Sequence, residues 1–130
     1  MPYSKTALIL MVAFALPGAA EALGLGDIHV DSALNEPLAA EVDIVGATAE
    51  DLAGITASVA DSETFLRFGV DRPAFLSTAS FRIAMGRSGQ PVLAIRSTDA
   101  FTEPLINVLI DLHWRSGELI RQYTLLLDPP

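Results

Sequence analysis

The sequence predicts a mainly β protein, an antiparallel β-sandwich-like domain with a short helical insert at about residues 48–68, following an N-terminal signal peptide. Several short segments alternate apolar and polar residues, which is the period of a half-buried strand. Glycine, proline and asparagine separate these segments, as expected for tight turns. The chain has 130 residues, of which 51% are hydrophobic and 18% charged, so it has the size and composition of one domain with a buried core.

The first 22 residues have the pattern of a secretory signal peptide. Lys5 precedes ten apolar residues at 7–16, a Pro-Gly pair interrupts this run, and an Ala-Glu-Ala cleavage site ends at Ala22. A membrane-spanning helix needs about 20 apolar residues, so this run is too short for an anchor. We therefore expect cleavage after Ala22, export across the cytoplasmic membrane, and a domain that comprises residues 23–130.

Two strands joined by a turn come first in this domain. Residues 27–31 alternate polar and apolar side chains, and the preceding Gly24-Leu25-Gly26 is predicted to be a flexible end. Asn35 and Pro37 indicate a turn. The second strand then places four apolar side chains inward, namely Leu38, Ala40, Val42 and Ile44. These two strands are expected to form a hairpin.

The pattern changes to a helical period at about residues 48–68. Thr48 is followed three residues later by Asp51, an arrangement typical of a capping box. One helical stripe is predicted for Leu52, Ile55 and Val59. A further helical turn is expected to begin at Asp61 or Ser62 and to end at Gly69.

The chain then returns to strand patterns. Residues 77–85 alternate, and the glycines in 86–89 predict a turn. Residues 92–97 begin with four consecutive apolar side chains, which predicts a strand that is buried on both faces. Residues 99–104 are expected to form a loop.

The C-terminal hairpin supplies the predicted structural core. Its inward side chains are Val108, Ile110, Leu112, Trp114, Tyr123 and Leu125. A two-residue turn at Ser116-Gly117 pairs Trp114 with Leu119, Ile110 with Tyr123 and Val108 with Leu125, and it places Arg115 opposite Glu118. In this register, Trp114→Ala costs about 3–5 kcal/mol of stability, whereas His113→Ala on the opposite face costs about 1 kcal/mol or less.

The charge balance and the lack of cysteine exclude several functions. The chain has 8 Lys and Arg against 16 Asp and Glu, a formal charge of −8. This balance does not fit binding to nucleic acid or to an anionic lipid surface. The absence of cysteine excludes a disulfide framework, a cysteine nucleophile and cysteine metal ligands.

Histidine chemistry is the remaining catalytic candidate. His113 lies two residues after Asp111 and could belong to a Ser-His-Asp triad, but this spacing also describes the polar face of a strand. No G-x-S-x-G motif is present. The two histidines, His29 and His113, fall short of a three-ligand zinc site unless a carboxylate contributes. The sequence therefore predicts a protein that is not an enzyme, with no catalytic residue, no metal site and no cofactor.

Five segments of the sequence resemble the N-terminal periplasmic domain of the FimV/HubP family. They are LGLGDI at 23–28, SALNEPLAAEV at 32–42, RPAFL at 72–76, EPLIN at 103–107 and WRSGELIRQYTLLLDP at 114–129. These segments occur in the family's order. The resemblance spans residues 23–130. Full-length members continue with a LysM peptidoglycan-binding domain, a transmembrane helix and an acidic cytoplasmic region with a TPR-containing end.

The resemblance implies a non-catalytic periplasmic interaction module of a polar scaffold that supports type IV pilus assembly and twitching motility. Its expected partners are proteins of the cell envelope, in the pilus or secretion machinery. The LysM domain is absent from this sequence, so peptidoglycan binding is not assigned to any residue. The sequence is expected to be either a fragment of a longer protein or a free-standing secreted domain.

Two other functions remain open from the sequence. A periplasmic chaperone or adaptor of the β-sandwich type offers a sheet edge to a partner subunit, and residues 92–97 or 118–127 are the predicted edges. A hydrolase that uses His113 is the other alternative.

Overall fold

The computed structural model describes residues 23–130, and the predicted signal peptide lies outside this part of the chain. The strands are β1 (Gly24–Val30), β2 (Pro37–Val45), β3 (Thr56–Val59), β4 (Ser80–Met85), β5 (Pro91–Ala100), β6 (Leu105–Trp114) and β7 (Gly117–Leu126). The helices are α1 (Ala49–Ala53), α2 (Ser62–Phe68) and a 3-10 helix (Ala74–Thr78).

Two antiparallel sheets form the domain. One sheet has the strand order β1-β2-β5-β4, and the other has the order β3-β6-β7. The predicted β1–β2 hairpin is present, since Val30 pairs with Ala40 and Ile28 with Val42. The mainly β, sandwich-like fold predicted from the sequence is therefore confirmed.

The alternation of β2 and the apolar run of β5 place the core as predicted. The four inward side chains of β2 are all buried. In β5, four consecutive side chains from Val92 to Ile95 are buried, so this strand is covered on both faces. Leu93 and Ile95 belong to the main core, whereas Val92 and Ala94 lie on the other face, among side chains of the neighbouring strands.

The start of β1 differs from the flexible end that the sequence suggested. Leu23 and Leu25 are buried, and Gly24 pairs with Val45 of β2. The strand contains a β-bulge between Leu25 and Ile28, where one extra residue lengthens β1 relative to β2. The flanking glycines indicated flexibility, but burial of the two leucines holds this segment in the sheet.

The helical insert is shorter than predicted and is divided by β3. The Thr48 hydroxyl accepts a hydrogen bond from the Asp51 amide at 3.0 Å, and the Asp51 carboxylate accepts one from the Thr48 amide at 3.1 Å, which is the predicted capping box. Helix α1 nevertheless ends at Ala53, and Val59 pairs with Ile110 of β6. The predicted stripe of Leu52, Ile55 and Val59 is wrong, because pairing with β6 overrides the local period.

Helix α2 begins and ends as predicted. The Asp61 carboxylate accepts hydrogen bonds from the hydroxyl of Thr64 at 2.7 Å and from its amide at 2.9 Å. These bonds, led by the one from the hydroxyl, hold the pKa of Asp61 below its ordinary value. Gly69 ends the helix with a φ of 72°, a left-handed conformation that favours glycine.

The register of the C-terminal hairpin differs from the predicted one by two residues. Arg115 and Ser116 form the turn, so that Trp114 pairs with Gly117 and Ile110 with Arg121. A Cβ atom on Gly117 would lie 2.9 Å from Cζ2 of Trp114, so glycine opposite the indole is what this register requires. Because the shift is even, the predicted inward side chains still share one face of the sheet.

The predicted contact between Arg115 and Glu118 is therefore wrong. Glu118 opposes His113 across the hairpin. Arg115, in the turn, instead places its guanidinium 3.2 Å from a carboxylate oxygen of Glu50 on α1. This ion pair is exposed at both ends, and such pairs contribute about 0–1 kcal/mol.

The β2–β5 ladder is irregular near its end, where Ala39 pairs with Arg96 but Pro37 pairs with Ala100. The buried Ser97 hydroxyl accepts a hydrogen bond from the Leu38 amide at 2.8 Å and donates one to the Asp99 carbonyl at 2.8 Å. The side chain of Ser97 thereby replaces a ladder bond that the extra residues of β5 interrupt.

We expect Ser97→Ala to lower the free energy of unfolding by about 1–3 kcal/mol, because the Leu38 amide loses its acceptor inside the protein. Ser58→Ala removes the same hydroxyl from an exposed position of β3 and should change stability by less than about 0.5 kcal/mol. Urea denaturation of both variants measures the difference. Equal losses in the two variants would contradict the role given to Ser97.

Candidate interaction surfaces

The structure places the predicted core residues at the interface of the two sheets. Five of them are buried: Val108, Ile110, Leu112, Tyr123 and Leu125. Trp114 is only partly buried, at the end of β6 beside Gly117. Since part of the indole stays in solvent, Trp114→Ala should cost less than the 3–5 kcal/mol given above for a fully inward side chain.

Tyr123 and Arg121 connect β7 to β1 of the other sheet. The Tyr123 hydroxyl donates a hydrogen bond to the Gly26 carbonyl at 2.6 Å, and the Arg121 guanidinium donates one to the Leu25 carbonyl. The guanidinium also lies 4.9 Å from the centre of the tyrosine ring. Burial raises the pKa of the Tyr123 hydroxyl, so it stays protonated as a donor.

His113 does not form the arrangement of a catalytic triad. Its Nε2 lies 2.9 Å from a carboxylate oxygen of Asp111, and its Nδ1 lies 3.7 Å from one of Glu118. A triad histidine needs one ring nitrogen free to accept a proton from a serine hydroxyl. Within residues 23–130 no serine hydroxyl is hydrogen-bonded to the His113 ring, and the exposed side chain belongs to the polar face of β6 and β7.

His29 lies on the outer face of the four-stranded sheet. Its Nε2 is 3.4 Å from a carboxylate oxygen of Asp43, and both side chains line a cavity of about 280 Å³ that also contains Glu41 and Arg87. No group of three His, Asp or Glu side chains within residues 23–130 has the geometry to hold a metal ion.

The sheet edges differ from those suggested by the sequence. Residues 92–97 belong to β5, which pairs with β2 and with β4, so they cannot offer an edge. This part of the prediction is wrong, because both edges of β5 are already hydrogen-bonded to neighbouring strands. Residues 118–127 largely coincide with β7, an edge strand that pairs only with β6.

A groove runs between two segments. One is residues 71–75, which include the start of the 3-10 helix, and the other is residues 99–107, which include the end of β5, the connection and the start of β6. We call this groove the connector groove. It consists of two cavities of about 510 and 370 Å³ that share four lining residues, namely Pro73, Ala74, Glu103 and Ile106. Phe75 and the buried Phe101 lie against each other in its wall, with ring centres 5.4 Å apart.

Three carboxylates and one guanidinium line the connector groove. Asp71, Asp99 and Glu103 are exposed, and within residues 23–130 none of them forms an ion pair. The Arg72 guanidinium contacts two other groups. Its Nε donates a hydrogen bond to the Ala60 carbonyl at 3.2 Å, and its central carbon lies 5.9 Å from the centre of the Phe65 ring. The exposed lining of the groove is therefore mainly polar and acidic, with a smaller apolar part.

Sequence reasoning did not find the connector groove. It singled out RPAFL at 72–76 and EPLIN at 103–107, yet it had no means of placing them together. Residues 77–102 separate them, including the β4–β5 hairpin. The helical pattern that could have indicated the 3-10 helix is only five residues long.

Among the described residues, no helix is both long and apolar enough to cross a bilayer. The two packed antiparallel sheets place this part of the chain in the class of immunoglobulin-like β-sandwich domains. The family model of the FimV N-terminal domain, described as Ig-like, matches residues 23–130. The chain therefore belongs to the FimV family, and the resemblance noted in the sequence is confirmed.

Two curated relatives share this domain. Both are named motility hub protein FimV, from two strains of Pseudomonas aeruginosa, and each is 38% identical to this chain over 113 residues. The match covers 87% of this chain but only 12% of each relative, so the chain spans a small part of their length. No solved structure matches the chain.

Proposed function

We propose that residues 23–130 form a non-catalytic periplasmic interaction module of a FimV/HubP-like polar scaffold, which supports type IV pilus assembly and twitching motility. The observation that carries this proposal is the family match across the whole described domain, together with relatives named motility hub protein. The contacts of His113 with the exposed carboxylates of Asp111 and Glu118, rather than with a serine, agree with a binding role. The partners in this proposal are proteins of the pilus or secretion machinery.

The proposed location is the periplasm, and the proposed domain boundary lies after Ala22. The pattern of residues 1–22, a basic residue followed by ten apolar ones and an Ala-Glu-Ala site, supports export and cleavage. The absence of cysteine is compatible with this compartment, because the buried core supplies stability without a disulfide.

Deletion of the gene, with complementation by the full chain, tests the proposed function. We expect the deletion strain to lose twitching and the full chain to restore it, with a periplasm-competent fluorescent fusion concentrated at the cell pole. A deletion strain that twitches normally and a fusion spread evenly through the periplasm would contradict the proposal. A variant with Lys5→Glu and a charged residue within 7–16 controls for export, because it removes the signal-peptide pattern while leaving the domain intact.

A second candidate function is a periplasmic adaptor that presents the edge of β7 to a partner subunit. In a hairpin with a two-residue turn, the pair that flanks the turn is hydrogen-bonded, and the bonding alternates from there. The amides of Glu118, Ile120, Gln122 and Thr124 therefore face away from β6, toward the free side of the sheet. This row of free donors is what strand addition uses.

A proline at Thr124 separates this function from the first. Thr124→Pro removes one outward amide, whereas Thr124→Ala keeps the amide and loses only the hydroxyl that donates to Asn107 at 2.7 Å. If β7 receives a strand, a pilus or secretion subunit should co-purify with the alanine variant and not with the proline variant. Equal recovery with both variants would rule out the edge.

A further inference from the structure

We propose that the connector groove binds a segment of a partner polypeptide in which a basic side chain lies next to an apolar one. This inference rests on the proposed interaction role and names the surface and the chemistry of its partner. The exposed pair of Leu105 and Leu126 beside the groove receives the apolar side chain, and the acidic rim receives the basic one.

The groove itself exposes little apolar surface, because Phe101 and Ile106 in its lining are buried. Six of the nine residues that line its larger cavity, of about 510 Å³, are nevertheless apolar. Phe101 is buried and pairs with Phe75, so the wall at this point is rigid rather than free to collapse. Leu105, which lines the second cavity, is 54% exposed and leaves apolar surface in water that a partner can cover.

The apolar surface continues beyond the groove onto β7. Leu105 is paired directly with Leu126, which is 74% exposed. Two neighbouring leucines with this exposure lie at the end of the β6–β7 hairpin, next to the second cavity. A partner segment in the groove can therefore extend over this pair and remove both side chains from water.

The charges of the groove select a basic partner. Asp71, Asp99 and Glu103 have no ion-pair partner within the described residues, while Arg72, which lines the second cavity, bonds to the Ala60 carbonyl and lies over the Phe65 ring. Exposed carboxylates without an ion-pair partner attract Lys or Arg.

The net charge of the chain argues against a second copy, an anionic lipid surface or an anionic polymer as the occupant of the groove. A second copy would bring another acidic surface, since the formal charge is −8, and like charges in an interface are unfavourable. An anionic lipid surface or an anionic polymer meets the same repulsion. The occupant that fits is a different polypeptide with a basic segment.

Binding of two capped hexapeptides tests this proposal. One alternates lysine with leucine, and the matched control alternates glutamate with leucine. Each is titrated into the protein, expressed from the full chain and labelled with 15N for backbone NMR. We expect the lysine peptide to shift the amides of residues 71–75 and 99–107, and the glutamate peptide to leave them unchanged. Shifts spread over the whole acidic surface, or equal effects of both peptides, would overturn the proposal.

Two matched double variants test which carboxylates attract the lysine peptide. Asp99→Asn with Glu103→Gln removes two charges from the rim, and Asp27→Asn with Glu41→Gln removes two from the four-stranded sheet, away from the groove. We expect the first variant to bind the lysine peptide about tenfold more weakly and the second to bind within about twofold of the original protein. Equal weakening in both variants would show that the overall negative charge attracts the peptide, which would contradict binding in the connector groove.

The same rim variant separates failure of the groove from failure of the proposed function. In a strain that lacks the gene, the full chain with the two rim substitutions should restore twitching less well than the full chain with the two control substitutions. Full restoration by the rim variant would overturn the groove as the functional surface and leave the interaction role standing. Normal twitching of the deletion strain itself would instead contradict the proposed function, whatever the peptides do.

Discussion

Replacing Phe65 with alanine is expected to lower the free energy of unfolding by about 3–5 kcal/mol. The side chain is 1% exposed and belongs to the main hydrophobic core, while the guanidinium of Arg72 lies over its ring. The loss combines the transfer energy of the ring with the cavity that remains. Domains are stable by only about 5–15 kcal/mol, and this chain has no disulfide to limit the loss.

Phe68→Ala is the matched control for this prediction. Phe68 lies three residues later on the same helix α2 and is 44% exposed. Both variants change the helix propensity equally, so only burial distinguishes them. We expect Phe68→Ala to cost about 1 kcal/mol or less, as measured by urea denaturation. Losses of the same size in the two variants would show that the helix, rather than the buried ring, sets the stability.

Replacing Leu109 with alanine is expected to cost about 2–5 kcal/mol. Leu109 lies on the face of β6 opposite Val108 and Ile110, which the sequence predicts to be polar, yet it is 0% exposed. The centre of β6 is thus buried on both faces, although His113 on the same outer face is exposed. An alanine at 109 leaves a cavity under this cover.

Leu105→Ala supplies the comparison, since Leu105 lies on the same face of the same strand and is exposed. We expect it to cost less than about 1 kcal/mol. Thermal unfolding and urea denaturation of the two leucine variants should agree in order. If Leu105→Ala were the more damaging variant, the outer face of β6 would be covered at its end and open at its centre, contrary to the structure.

Local patterns predicted the faces and ends of elements well. Alternation in β2 identified its inward side chains, and the side chains of Thr48 and Asp61 identified the starts of two helices. Each of these signals depends on residues within one or two turns of one another, so it can be read along the chain.

Features that depend on a distant partner were predicted less well. Residues 56–59 form a strand only because β6 lies beside them, and the hairpin register follows from the fit of the Trp114 ring over Gly117. The connector groove likewise forms where residues 71–75 meet residues 99–107. None of these partners is specified by local period or propensity.

The bonds from Tyr123 and Arg121 to β1 also bear on aggregation. An edge strand with free carbonyls is a template on which another molecule can add a strand and begin an intermolecular sheet. The side chains of β7 occupy the carbonyls of Gly26 and Leu25, at the point where a β-bulge already makes β1 irregular. This end of β1 is therefore a poor template, in contrast to the free edge of β7.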